Sequence, residues 1–127
     1  MIMAVNIATV FAGLTGVVLV LMGARAMWAP QAATGFGIPD TPTDDPAFRA
    51  WLMVKAVRDM ACGALILVVV ADEASHLLGW FMLIATGVPV GDALIVLRSK
   101  GSKAAVWGIH GATALLMLVI AVLLLIG

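Results

Sequence analysis

A chain of 127 residues that is 64% hydrophobic and 11% charged lies far from a soluble domain, which is near half apolar and a quarter charged. It reads as an integral membrane protein. Seven Lys+Arg balance seven Asp+Glu, so no nucleic-acid partner is expected, and the one cysteine, Cys62, excludes an intrachain disulfide, a cysteine metal cluster and CxxC exchange chemistry.

Four transmembrane helices are readable in one all-α domain, a bundle over residues 1–127. The first covers about 5–28. It has no basic leader and no A-x-A stop, so a retained span is expected rather than a secretory signal. Gly13 and Gly16 thin one of its faces for close helix approach. Arg25 lies one turn from its end, within reach of headgroups. The loop 30–48 is rich in Pro, Gly, Thr and Asp, and its Gly35-Phe36-Gly37-Ile38-Pro39 core suggests a tucked interfacial turn. Asp45 followed by Pro46 is a good helix start.

The second span, 46–70, carries Lys55, Arg58 and Asp59 within an apolar run. Asp72 and Glu73 then suit the start of the third, 76–97. Pro89 predicts a kink in that helix. Gly101 is expected to close it and Ser102 to cap the last span, 103–126, whose polar residues all fall in its first third. Arg25, Arg49, Arg98, Lys100 and Lys103 lie on one side and no Lys or Arg on the other. The bias predicts an inner-membrane, multi-pass chain with both termini extracytoplasmic. Trp28, Trp51 and Trp107 fall near the cytoplasmic interface and Trp80 near the other.

A charge at membrane depth costs a few kcal/mol and persists where it faces protein, a partner or water. At about 1.5 Å per residue, Lys55 lies ~9 Å and Asp59 ~15 Å beyond Arg49. Asp92 lies ~9 Å from Arg98, and His110 ~10 Å from Lys103. Three spans thus bring ionisable groups to one level in the cytoplasmic half, while the other half is nearly pure Leu, Val, Ile and Ala. The pattern describes a bundle closed outside, with a polar pocket opening inward or sideways. Glycines 63, 87, 91, 108 and 111 flank these residues and predict close backbone approach. Those at 108 and 111 leave room beside the His110 ring, and Asp92 is expected to pair with Arg58 or Lys55.

Several chemistries are excluded. His76 and His110 sit toward opposite faces, so they cannot share a haem, and one Glu cannot build a di-iron bundle. There is no phosphate-binding glycine loop and no G-x-S-x-G motif. No cofactor or metal is expected.

Arg25 with Pro30, Gly35-Phe36-Gly37-Ile38-Pro39, Lys55-x-x-Arg58-Asp59 with Gly63, Gly91-Asp92 and His110-Gly111 together resemble one small family. It is a group of four-span membrane proteins catalogued as a domain of unknown function, number four-two-six-seven. Ala56 stands where that family has a glycine. The resemblance covers nearly the whole chain and implies four helices in one domain, but no reaction.

Three functions fit these residues. The first is acid–base chemistry, such as isomerisation or cyclisation, on a lipophilic small molecule. Asp59 or Asp92 would be the acid or base and His110 the relay. Arg25, Lys55 and Arg58, with Trp51 and Trp107, would contact the ligand. The second is a binder or carrier of a lipid or small amphiphile. Small multidrug exporters share the span number but work from a glutamate in the first span, which is absent here. The third is an accessory subunit docked through its charges. The same charges could also serve only to fix helix order. The bilayer and a lipophilic small molecule are the expected partners, with a homodimer possible.

Overall fold

All of the regular structure in the chain is helical. The computed structural model describes residues 1–127. Helix α1 (Ile2–Trp28) leads into a 3-10 turn (Pro30–Phe36), followed by α2 (Pro46–Ala71), α3 (Ser75–Ala85) and α4 (Gly87–Arg98). A π-helical segment (Ala104–Gly111) then runs directly into α5 (Ala112–Ile126). Three stretches are long and apolar enough to cross a membrane: Ile2–Trp28, Ser75–Arg98 and Ala104–Ile126. They point to a membrane protein. Helix α2 is 26 residues long but carries Arg49, Lys55, Arg58 and Asp59.

The start of α2 follows its chemistry. Asp45 accepts a hydrogen bond from the Phe48 amide at 2.9 Å, and Pro46 occupies a position that has no helical bond to lose. Helices α1 and α2 run antiparallel along a seam of small residues seven apart, a spacing that keeps one narrow stripe facing the neighbour. A Cβ at Gly63 would lie 2.5 Å from the Gly16 carbonyl oxygen, and one at Gly23 2.7 Å from that of Ala56. Gly13 is not part of the seam, since its Cβ would meet only Val70 at 4.0 Å. Around Gly87, Gly91 and Gly108 a Cβ would meet nothing. Of the five glycines expected to admit a neighbouring helix, only Gly63 does so, because the others face open space or their own helix.

The α3–α4 column breaks at Thr86 rather than at Pro89 itself. A proline ring collides with the carbonyl four residues back, here Ala85, so the disruption falls one turn earlier. Thr86 Oγ1 donates to the Met82 carbonyl at 2.8 Å across the break. The acidic pair does not cap α3: that helix has no acid in its first turn and no side-chain cap. Glu73 instead takes a left-handed φ of 57° and ends the turn out of α2.

Packing is uneven along the columns. A core of Ala8, Ala12, Ile66, Leu78, Met82, Met117, Ile120, Ala121 and Leu124 fills the half holding the N-terminus of α1 and the C-terminus of α5. The opposite half has only Val96, Ala105 and Val106, with Phe36 and Ala93 against them. There the loop between α1 and α2 docks onto the turn before the π segment. Gly37, at φ 105°, brings its carbonyl against Gly101, and a Cβ on Gly37 would lie 2.5 Å from that of Ala105. Lys100, not Gly101, adopts the left-handed conformation after α4. Gly101 serves this close approach instead, while its amide donates to the Val96 carbonyl at 2.9 Å. Ser102 caps the π segment through the Ala105 amide at 3.1 Å.

Candidate functional site

Where the second core thins out, a cavity of about 740 Å³ opens between the end of α1, the loop after it, α2, α4 and the π segment. Its walls are largely apolar, with Met22, Ile38, Phe48, Leu52, Ile95 and Ile109 among them. Arg25, Lys55, Asp59, Asp92 and His110 all line it. Trp51, Arg58 and Trp107 do not.

The centre of the polar wall is Phe36, which sequence reasoning placed in a turn and gave no role. The 3-10 turn carries its ring to 4.4 Å from the His110 ring, centroid to centroid. Lys55 Nζ stands over the same ring, 5.6 Å from its centroid, a cation–π distance. The signal for Phe36 was an aromatic residue between two glycines ahead of a proline. His110, 7% exposed, donates its Nε2–H to the Phe36 carbonyl oxygen at 2.7 Å. A carbonyl can only accept, so Nε2 carries the hydrogen. In the neutral ring Nδ1 is then a lone-pair acceptor, and it makes no hydrogen bond of its own.

The charges do not pair as expected. Lys55 Nζ reaches Asp59, on its own helix, at 2.6 Å, because residues four apart stand one above the other. Asp92 lies within electrostatic reach of Lys55 and His110, and of the like charge of Asp59, but forms no ion pair with Lys55 or His110. The bridge between Asp92 and Lys55 or Arg58 is therefore absent. Arg25 likewise faces the cavity without a hydrogen bond or ion pair. The one other ion pair, Arg49–Asp44 at 3.5 Å, joins the loop to the start of α2 outside the cavity.

The three candidates outside the cavity have a common reason. Trp51 and Arg58 are seven residues apart on α2, two turns along one face, and that face turns away from the neighbouring helices together with Val54, Leu65 and Val68. Arg58 donates back to the Val54 carbonyl at 3.3 Å. In an α-helix Trp107 and His110 would share a side, being three apart. The π winding of Ala104–Gly111 widens the turn and separates them, leaving Trp107 67% exposed while His110 points inward. Such windings are rare and recur at functional sites.

The comparisons agree with the resemblance seen in the motifs. A family model described as a domain of unknown function, DUF4267, matches residues 16–124, a stretch that holds every cavity residue from Met22 to His110. No curated protein and no solved structure matches the chain. By the extent of that match, the chain belongs to the DUF4267 family.

Proposed function

We propose that this is a four-span membrane protein, with α2 as the fourth span, that draws a lipophilic small molecule into the cavity and moves a proton on it. The observation that carries the reading is the cavity itself. Apolar walls of ligand size are interrupted by three groups with unused capacity: His110 Nδ1, the Asp92 carboxylate and the Arg25 guanidinium. Large apolar pockets with a few convergent polar groups are the usual form of small-molecule sites.

The chemistry follows from the partners each group lacks. His110 Nδ1 is placed to accept a proton from the ligand, while the Nε2–H···O bond to Phe36 holds its ring and tautomer. The proton is returned at a second ligand atom by the imidazolium so formed, or by Asp92 once it has taken the proton over from His110. A proton removed at one atom and returned at another is an isomerisation or cyclisation with no net redox change, so no oxidant is needed. Asp59 is less available, being held by Lys55. Arg25, and Lys55 through its remaining hydrogens, would hold a polar or anionic end of the ligand. Incubating the purified protein with a lipid extract and analysing bound and released species by mass spectrometry tests this directly. Turnover to a mass-neutral isomer supports the reading. Retention of an unchanged lipophile supports a non-catalytic binder or carrier, which the apolar majority of the wall, 11 of 21 lining residues, favours as the second reading.

The cavity end also carries Arg25, Arg49, Arg98, Lys100 and Lys103, whereas Asp72 and Glu73 lie at the other. The positive-inside bias supports a cytoplasmic cavity end, extracytoplasmic termini and an inner-membrane location. Trp28, Trp51 and Trp107 are exposed at that end, as interfacial anchors would be. The ligand would then arrive from the cytoplasm or sideways from the inner leaflet. A cysteine at position 100 should react only with reagents that reach the cytoplasm; labelling by an impermeant reagent from outside would reverse the orientation.

A further inference from the structure

His110 and Lys55 meet at one aromatic plate. The His110 ring lies 4.4 Å from the Phe36 ring and Lys55 Nζ 5.6 Å from the same centroid, and all three residues line the cavity. At most the sum of those two distances separates imidazole from ammonium. A carbonyl oxygen held by the ammonium at about 2.9 Å and a carbon about 3–3.5 Å from Nδ1 fit within that span. Both groups are fixed from behind. The imidazole is bound through Nε2 to the Phe36 carbonyl oxygen at 2.7 Å. Nζ donates to Asp59 at 2.6 Å, which leaves further ammonium hydrogens for a ligand.

We propose that the cavity ligand is a lipophilic β,γ-unsaturated ketone, with His110 Nδ1 as the base and Lys55 holding the ketone oxygen. The inference rests on the cavity moving a proton on its ligand. A proton shifted between oxygen or nitrogen atoms exchanges fast in water and needs no protein, whereas one shifted between carbons does. Neutral imidazole is too weak a base for an ordinary C–H bond. It serves where the released electron pair spreads onto a carbonyl oxygen and a fixed cation meets the charge there. A carboxylate ligand does not qualify, because a second negative charge would have to form on it. In the step, the C–H bond α to the carbonyl breaks and its proton goes to Nδ1. The electron pair becomes a C=C bond of a dienolate, whose oxygen stays on Lys55. The imidazolium then protonates the γ carbon, which moves the double bond next to the carbonyl and restores the neutral ring. The product has the mass of the substrate, and no electrons are gained or lost.

Incubating the detergent-purified protein with dodec-4-en-2-one tests the assignment, with conversion to dodec-3-en-2-one followed by chromatography. The parent is expected to convert the ketone roughly 10²-fold or more above detergent alone, and to leave the corresponding alcohol, dodec-4-en-2-ol, unchanged. His110→Gln should fall to the detergent rate. Lys55→Met with Asp59→Leu, which strands no charge, should lose roughly 10²-fold in kcat, as removal of one oxyanion donor does, at a near-parent melting temperature. Lys55→Arg, which keeps a cation, should retain part of the rate. A purely structural lysine would instead lower kcat only as far as the melting temperature falls. Equal conversion by the double variant overturns the assignment, as does a parent that leaves the ketone unconverted. Turnover of a carbonyl-free lipid by a protein that ignores the ketone overturns the ketone and keeps the proton-transfer reading, whereas no turnover of any species overturns both.

Discussion

His110→Gln should keep the fold and lose turnover, by a factor of about 10²–10⁴, the usual contribution of a positioned acid or base. The glutamine amide can still donate to the Phe36 carbonyl oxygen, as His110 Nε2 does at 2.7 Å, but it offers no basic nitrogen. His110→Ala removes both functions. The Phe36 carbonyl then loses its donor, at a cost of about 1–3 kcal/mol, and the loop loses its tether to the π segment. The pair of variants therefore separates chemistry from support. Melting temperature in detergent should fall only for alanine, while product formation, followed by mass spectrometry, should fall for both. A glutamine variant that turns ligand over at the parent rate would remove His110 from the reaction and leave it as a structural anchor.

The second large effect concerns the Lys55–Asp59 pair. Asp59→Ala strands a lysine beside an apolar wall. The side chains are partly exposed, 48% for Lys55 and 23% for Asp59. The expected cost is roughly 1–3 kcal/mol, between the near-zero of a surface pair and the 3–5 of a fully buried one. A double change, Lys55→Met with Asp59→Leu, should recover most of it by replacing a pair with apolar volume. Asp92→Ala should melt within a degree or two of the parent, because Asp92 has no partner to strand. On the proposed function, its effect falls on turnover instead. Thermal unfolding of the four proteins checks the ordering, and a sharp drop for Asp92→Ala would mean that it carries an ion pair after all.

Much of the helical layout was legible because it depends on local rules. The Asp45–Pro46 start, the end of α1 before Pro30 and the Ser102 cap all follow from the preferences of single residues at helix ends. The convergence of Lys55, Asp59, Asp92 and His110 on one cavity was also legible, since helical rise alone brings them to one level. What failed was azimuth. Counting residues gives depth, but which face looks inward depends on the neighbours, so Trp51 and Arg58 were assigned to a cavity that they turn away from. At Trp107 the count itself changed, because the π winding adds width that an α-helical wheel does not contain. Pairing failed for a related reason. Lys55 has an acid one turn away on its own helix, and a local partner forms before a distant one is needed. Phe36 was out of reach because a loop's path is set by what it docks on, here Val96, Ala105 and His110.

The uneven packing has a dynamic consequence. The half with the large core holds the columns together by contacts among four helices. The cavity half is closed by one short turn, tethered through Phe36 to His110 and wedged by Gly37 against Ala105 and Gly101. Segments with few buried apolar contacts open locally at far smaller free energies than the whole fold requires. The 3-10 turn can therefore swing out as a unit while α1, α2, α3 and α5 stay assembled. On the proposed function, admission of a bulky guest then follows how often the Phe36–His110 hydrogen bond, the Phe36 ring contacts and the Gly37 wedge release together, with the rest of the molecule as the fixed frame for that motion.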